Sequence, residues 1–303
     1  MSYVNYALHL LILFDIYLIV ALSLNVIVGY VGLLTLAHAA FFGVGAYTYA
    51  VTALLLDWGF IPAALLAIVI SVVFSMMLSI ASWRFRGDFF VLISLAVQVM
   101  IFTVLKNWYD PSAPVGAWSN MTNGDSGLSA VPPPNIFGYL FDDKISIAIL
   151  FSAFAVCAAL VSRFLLESPW GRMLRALRDD ELAARGLGKN VRAAKVWAVA
   201  IACGLAGFAG AMLSSYINFV NPTIADISEA TLLLSMIVIG GVGNAFAGPF
   251  VGALLLILIP EGLRFIDMPI TLAAEMRLMI YGVLLIAFMH WRPQGIAGSY
   301  RME

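Results

Sequence analysis

Long apolar segments alternate with short polar intervals along the chain, and this alternation predicts most of its architecture. Several of the apolar segments approach or exceed the ~20 residues that a helix needs to cross a bilayer. The pattern predicts an all-α integral membrane protein: one transmembrane domain, residues 1–303, forming a polytopic helical bundle of about 8–10 transmembrane segments with broken or re-entrant helices. The apolar segments are 6–28, 33–56, 62–82, 89–105, 145–161, 196–217, 230–239, 249–259 and 275–289, of which 230–239 is too short to cross alone.

Composition agrees with a membrane protein and excludes several other classes. Hydrophobic residues make up 63% of the 303 residues and charged residues only 11%, and the net charge of −1 argues against a nucleic-acid partner. Cys157 and Cys203 both lie inside apolar segments, so no disulfide framework is expected. The first basic residue is Arg84, so the first apolar segment is expected to be retained as a span rather than cleaved as a signal peptide.

Two polar intervals, 106–144 and 164–195, differ in charge and set the predicted orientation. Eight of the 16 Lys and Arg residues fall between 163 and 195: Arg163, Arg172, Arg175, Arg178, Arg185, Lys189, Arg192 and Lys195. Because basic residues mark cytoplasmic loops, the interval 164–195 is predicted to be cytoplasmic and 106–144 external. Arg84, Arg86, Arg292 and Arg301 would lie on the cytoplasmic side and the N-terminus outside.

Within the basic interval, residues 168–186 predict one amphipathic helix of four to five turns. Ser168 suits the N-cap, Pro169 the first helical position and Gly186 the end. One side is apolar, and Arg172, Arg175 and Arg178 recur at every third position on the other; the apolar residues are Met173, Leu174, Leu177 and Leu182. Such a helix between two spans is either a surface anchor or a docking element.

Catalytic motifs are absent. The sequence 186–190, Gly-Leu-Gly-Lys-Asn, fails the spacing of a phosphate-binding loop and lacks the hydroxyl that would hold Mg²⁺. His9, His38 and His290 are too scattered to suggest a metal site. The chain is therefore predicted not to be an enzyme by itself.

Ionisable residues in the middle of a span usually mark ion pathways, and this chain offers few of them. Asp15 lies midway along the first segment and is expected to be structural, bonded to a neighbouring helix. Glu229, Glu261, Arg264 and Glu275 are interpreted as span-end residues that snorkel to the interface. This distribution argues against an ion-coupled symporter.

Glycine-rich breaks interrupt two of the apolar segments. Residues 240–244, Gly-Gly-Val-Gly-Asn, precede Gly248 and Pro249, and residues 33–47 contain His38, Gly43 and Gly45. Irregular backbone at membrane depth either lines a cavity or is buried in protein. Both interpretations stay open, a substrate-lining broken helix and a tightly packed hairpin. Elsewhere, the recurrence of Gly204, Gly207 and Gly210 predicts close helix packing.

Four stretches together resemble one family. They are residues 32–47, 168–184, 240–249 and 292–295, and they occur in order over almost the whole chain. In this combination they are similar to the branched-chain amino acid ABC transporter permeases, specifically the LivM branch. The resemblance implies a multi-pass permease subunit in the bacterial inner membrane, forming half of the path by which a small polar solute enters by ATP-driven alternating access.

The resemblance also implies partners. They are a second homologous permease subunit, two cytoplasmic ATP-binding subunits and a periplasmic substrate-binding protein, in addition to membrane lipid. No cofactor is expected in this chain, and ATP and Mg would be bound on the partner subunits. Substrates of the family include branched-chain and other amino acids, amides, urea and organic acids. The alternative function is a stand-alone secondary transporter or channel for a small solute.

Two groups of site residues follow from the resemblance. The 168–186 helix becomes a coupling helix seated in a groove of the ATPase, docked by Leu174, Leu177 and Leu182, with the charged residues at its rim. Its residues are Ser168, Pro169, Trp170, Gly171, Arg172, Arg175, Arg178, Asp179, Asp180, Glu181 and Gly186. The translocation path is expected to involve His38, Gly43, Gln98, Gly240, Gly241, Gly243, Asn244 and Pro249.

Overall fold

Helices account for nearly all of the regular structure in the computed structural model, which describes residues 3–85, 87–136, 138–264, 270–292 and 294–298. The helices of these residues are α1 Tyr3–Asn25, continued by a π-helical turn Val26–Val31, α2 His38–Leu55, α3 Phe60–Arg84, α4 Asp88–Asn107, α5 Lys144–Glu167, α6 Pro169–Asp179, α7 Glu181–Gly186, α8 Val191–Ile217, α9 Ile227–Gly240, α10 Ala247–Arg264 and α11 Ile270–Trp291. Arg86 and Arg301, both predicted to lie on the cytoplasmic side, fall outside the described residues.

Six of these helices are long and apolar enough to cross a membrane: α1, α2, α3, α4, α5 and α8. Shorter apolar stretches lie in α9, α10 and α11. The polytopic helical fold is thus confirmed. The segment 230–239, predicted to be too short to cross, lies in α9, whose 14 residues span about 21 Å at 1.5 Å per residue.

The long helices divide into a centre and a periphery. In α1 and α2, 78% of the apolar window is buried inside the protein, whereas in α4 and α5 only 33% is, so the latter two leave most of their surface to lipid or to other subunits. The predicted glycine packing is confirmed in the centre, because the backbone at Gly207 lies against Gly45 and that at Gly210 lies against Phe42.

The two ends of the bundle carry different elements. At one end, here called the basic end, lie α6, α7, the π-helical turn after α1 and the close of α11 at Trp291. At the opposite end, the loop end, residues 108–143 connect α4 to α5 and contribute to two short strand pairs. In one pair Leu128–Ser129 runs antiparallel to Phe219–Val220, with Leu128 opposite Val220; in the other Asn135–Ile136 pairs with Tyr139–Leu140.

The backbone breaks inside the bundle between α8 and α9. After Phe219–Val220 at the loop end, the 3₁₀ turn Pro222–Ala225 enters the bundle, and Gln98 Nε2 donates to the carbonyls of Ala225 and, at 3.2 Å, Asp226. Gln98 lies nine or ten residues from the ends of α4, about 15 Å by helical rise. Helix α9 therefore starts at mid-depth.

Helix α2 also starts inside the bundle. His38, its first residue, has Nε2 2.6 Å from Oγ of Ser23, which lies eight residues before the end of the π-helical turn, about 12 Å along the helix. Broken helices are thus present as predicted. The break at 240–244 was predicted at membrane depth. It lies instead at the basic end, beside residues 294–298, because α9 begins at mid-depth and its 14 residues are enough to reach that end.

Candidate functional site

Polar groups at mid-depth surround the turn between α8 and α9. Thr223 is exposed, and its Oγ1 donates to Asn221 Oδ1 at 2.7 Å. Asp226 caps α9, its Oδ1 accepting from the backbone N–H of Ile227 at 2.7 Å, and Ser228 Oγ donates to Oδ2 at 3.1 Å. Polar backbone and side chains at this depth are costly to expose to lipid, so this face is suited to meet water, solute or another protein.

Two residues predicted to line the path, Gln98 and Gly43, hold this turn in place, and a third, His38, lies on the same helix as Gly43. Gln98 is fully buried and connects three elements, because its Oε1 accepts from the N–H of Ala40 at 2.8 Å while its Nε2 binds the turn. Gly43 packs so closely on Ala225 that an added Cβ would lie 2.7 Å from the Cβ of Ala225. His38 is 1% exposed and contacts Ser23. The structure thus places Gln98 and Gly43 against the turn, and the part of all three residues in transport stays a prediction.

Glu229 is the mid-depth residue that the sequence interpretation missed. Tyr17 Oη donates to Glu229 Oε1 at 3.0 Å, and Tyr17 lies fourteen residues from both ends of the Tyr3–Val31 helix. The prediction that Glu229 snorkels at a span end is therefore wrong, and the reason is that α9 begins inside the bundle. Arg264 and Glu275 lie where side chains are not described.

The expectation for Asp15 is confirmed. It is 5% exposed, and Ser152 Oγ of α5 donates to its Oδ2 at 2.6 Å. The carboxyl thus bonds α1 to a neighbouring helix, as the structural interpretation predicted.

At the basic end, the predicted single helix 168–186 is two helices. Ser168 caps α6 as predicted, accepting from the N–H groups of Trp170 and Gly171, and Pro169 is the first residue. Asp180 then leaves the helical conformation, with φ −153°, and caps α7 by accepting from Leu182 N at 2.8 Å and Ala183 N at 3.0 Å. The prediction is wrong at this residue because the Asp180 carboxylate satisfies the first N–H groups of a new helix.

The apolar face of α6 points into the protein. Leu174 and Leu177 are 0% and 3% exposed, so the prediction that they dock a partner is wrong; their partner is the bundle itself. Leu182 is 68% exposed and is available at the surface. The outward residues of this segment are Pro169, Arg172, Ala176, Asp179, Asp180, Leu182, Ala183, Arg185 and Gly186, whereas Trp170 is half-buried and Gly171 buried.

Two of the three predicted rim arginines contact the π-helical turn after α1. The Arg178 side chain is 9% exposed, and its Nη1 donates to the carbonyl of Gly29 in the π-helical turn at 2.6 Å. The Arg175 guanidinium lies 5.7 Å from the ring centroid of Tyr30 in the same turn. Arg172 is the one of the three that is exposed, and its Nη1 donates to the Glu167 carbonyl at 3.2 Å.

The two glycine-containing stretches 240–249 and 292–295 are packed against each other. The N–H groups of Ile296 and Ala297 donate to the carbonyls of Ile239 and Gly240, both at 2.9 Å, which closes the end of α9. Gly241 has φ +103° and touches the backbone at Gly298, so no side chain fits there. Gly240, Gly241, Gly243, Gly248 and Pro249 are buried in this packing, and Asn244 caps α10 through its Oδ1. Of the two interpretations left open, these contacts support the tightly packed one.

Together the broken interior helices, the mid-depth polar turn and the two-helix segment at the basic end define a polytopic membrane permease. The family model for the permease component of branched-chain amino acid transport systems matches residues 6–289. The chain therefore belongs to this family and is a permease subunit of an ABC importer, not an enzyme, since ATP hydrolysis in such importers is carried by separate subunits.

Relatives with known names agree with this family. The chain is 30% identical to the LivM permease protein of the high-affinity branched-chain amino acid system of Escherichia coli K12, over 95% of this chain and 69% of that protein. It is 24% identical to the probable LivM of Methanocaldococcus jannaschii, over 95% and 92% respectively. It is also 23% identical to LivH of E. coli K12, over 95% and 92%. No solved structure matches the chain.

Proposed function

We propose that this chain forms one half of the translocation path of an ABC importer for branched-chain or other amino acids. The names of its LivM relatives support the substrate class, and the more distant likeness to LivH supports a second, related permease as the other half. Two cytoplasmic subunits would bind ATP and Mg, and a periplasmic protein would deliver the solute. The site of action would be the bacterial inner membrane.

The observation that carries the proposal is the polar turn at residues 221–228. It lies halfway through the bundle, yet Thr223 is exposed on the surface of this chain. A surface of this kind is unfavourable against hydrocarbon but favourable against a second permease that encloses a wet path. The carbonyl groups and carboxylate of this turn also suit an amino group of the solute, because they are hydrogen-bond acceptors.

The α6–α7 segment is proposed as the surface that the ATPase contacts. Its surface carries charges of both signs: Arg172 is positive, and Glu167, Asp179 and Asp180 are negative, all of them exposed. The exposed Leu182 offers an apolar contact. Its inward residues fix it to the bundle, so that a push on the outer face moves helices rather than a loop.

Reconstitution with the partner subunits tests the proposal. We expect leucine uptake into liposomes to require ATP, the second permease and the binding protein. Arg172→Glu should weaken co-purification of the ATPase by about tenfold, the loss of one or two charge contacts, while Arg163→Glu, an exposed arginine at the end of α5, should not. Uptake that persists without ATP and follows an ion gradient would instead favour a stand-alone secondary transporter.

A further inference from the structure

The π-helical turn Val26–Val31 connects the α6 segment to the α9–α10 turn. On one side Arg178 Nη1 donates to Gly29 O at 2.6 Å. On the other side Asn25, the residue that enters the π-helical turn, is 0% exposed; its Nδ2 donates to Asn244 O at 2.8 Å and its Oδ1 accepts from Gly243 N at 3.4 Å. One turn of α1 thus binds both elements.

The backbone of this turn is shaped for both contacts. Gly29 lies so close to the α9–α10 turn that an added Cβ would be 2.9 Å from Gly243 N and would also overlap the Asn25 amide. Gly32, which ends the π-helix, has φ +75°, and an added Cβ would lie 2.6 Å from Cγ of Arg178. Here the π-helical turn closes the first helix, and π-helical turns are rare and frequently found at functional sites.

The far side of this connection leads to the proposed path. The α9–α10 turn is closed by residues 294–298, which bind the last carbonyls of α9, so a displacement of the turn carries α9 with it. Helix α9 has 14 residues, and its other end is the mid-depth turn capped by Asp226. Rigid elements joined by packed side chains and hydrogen bonds are the physical means by which distant sites couple.

We propose that Arg178 and Asn25 are positioning residues that transmit movement of α6, through the π-helical turn, to α9 and the mid-depth turn. The relay rests on the proposed function, since α6 is moved only if the ATPase engages it. The described contacts of the two side chains are with the π-helical turn, the α9–α10 turn and, for Arg178, the neighbouring Asp179. Their loss should therefore leave assembly and ATP hydrolysis in place and reduce the solute moved for each ATP.

Asn25→Leu and Arg178→Met test the relay in the fully reconstituted importer, because each keeps the size of the side chain and removes its hydrogen bonds. The matched controls are Ser75→Ala, a buried hydroxyl whose hydrogen bond in the described structure lies within α3, and Arg192→Met, an exposed arginine of α8. The readouts are ATPase co-purification, ATP hydrolysis stimulated by the binding protein, leucine uptake and the melting temperature.

We expect the ratio of leucine transported to ATP hydrolysed to fall about tenfold in both variants, within the range of ordinary coupling energies, with hydrolysis within about twofold of wild type. The controls should keep the wild-type ratio. An unchanged ratio, including one in which uptake and hydrolysis fall in proportion, overturns the relay and leaves the proposed function standing. A wild-type chain whose uptake does not depend on ATP overturns the proposed function and the relay together.

Discussion

Lys195 Nζ lies 2.9 Å from Glu181 Oε2, and the two side chains are only 4% and 11% exposed. The same ammonium donates to the carbonyl of Ser82 at 3.2 Å, so it ties α7 to the end of α3 and the start of α8. Glu181 also accepts from Arg185 Nη2 at 2.7 Å. This buried ion pair, rather than the apolar face of the segment alone, fixes α7 to the bundle.

Removal of one member of the pair should destabilise the protein more than removal of both. Lys195→Met leaves the buried Glu181 carboxylate with Arg185 as its remaining cation, and we expect the free energy of unfolding to fall by about 3 kcal/mol. Adding Glu181→Gln to Lys195→Met should recover part of this loss. Melting of the purified protein, followed by tryptophan fluorescence, measures both changes. Lys189→Met, at an exposed lysine, is the control and should melt as wild type does.

The cap at Asp180 should control the order of α7. Asp180→Ala removes the acceptor for the N–H groups of Leu182 and Ala183, which typically costs about 1 kcal/mol. Hydrogen exchange at these two amides should become faster, while the amides of α6 keep their protection. Asp179→Ala, whose carboxylate caps no helix in the described structure, should leave the α7 amides unchanged; equal acceleration in both variants would contradict the assigned cap.

Sequence patterns predicted the elements of this protein better than their depth in the bundle. Segment lengths sufficed to place α3, α4 and the start of α5, and the Ser168-Pro169 pair placed the start of α6. The depth of α9 depends instead on the pairing of Phe219–Val220 with Leu128–Ser129 and on the Gln98 amide, both of which are long-range contacts. For this reason Glu229 was assigned to a span end.

The face of α6 was misassigned for a similar reason. An apolar stripe on a short helix has the same sequence pattern whether it packs on its own chain or on a partner. Arg178 gave no signal either, because an arginine in a basic interval usually stays solvated. Lys195 offered a faint signal, being a charged residue directly before an apolar segment. The contacts between 240–244 and 294–298 were not predictable from either stretch alone.

Gly241 should tolerate no side chain. With φ +103° and the backbone at Gly298 against it, Gly241→Ala forces the α9 end and the C-terminal segment apart, at a cost of at least about 1–3 kcal/mol. Gly186→Ala is the matched control, because Gly186 lies in helix α7 and nothing lies within 4 Å of where an added Cβ would be. Yield and melting temperature of the two proteins measure the difference. A Gly241→Ala protein as stable as wild type would show that the close packing of these glycines is not needed.

Thr223 should matter for uptake because it presents a hydroxyl at mid-depth. Thr223→Val replaces the hydroxyl by a methyl group and removes the hydrogen bond to Asn221; because Thr223 is exposed, the fold should be retained while the polar surface of the path is reduced. We expect leucine uptake by the reconstituted importer to fall about fivefold, the loss of one neutral hydrogen bond of about 1 kcal/mol. Thr103→Val is the control, since Thr103 is also exposed but lies on α4, most of whose surface faces outward. If both variants transport leucine at the wild-type rate, the 221–228 face does not line the path; if both lose uptake equally, the effect belongs to exposed hydroxyls in general and not to this turn.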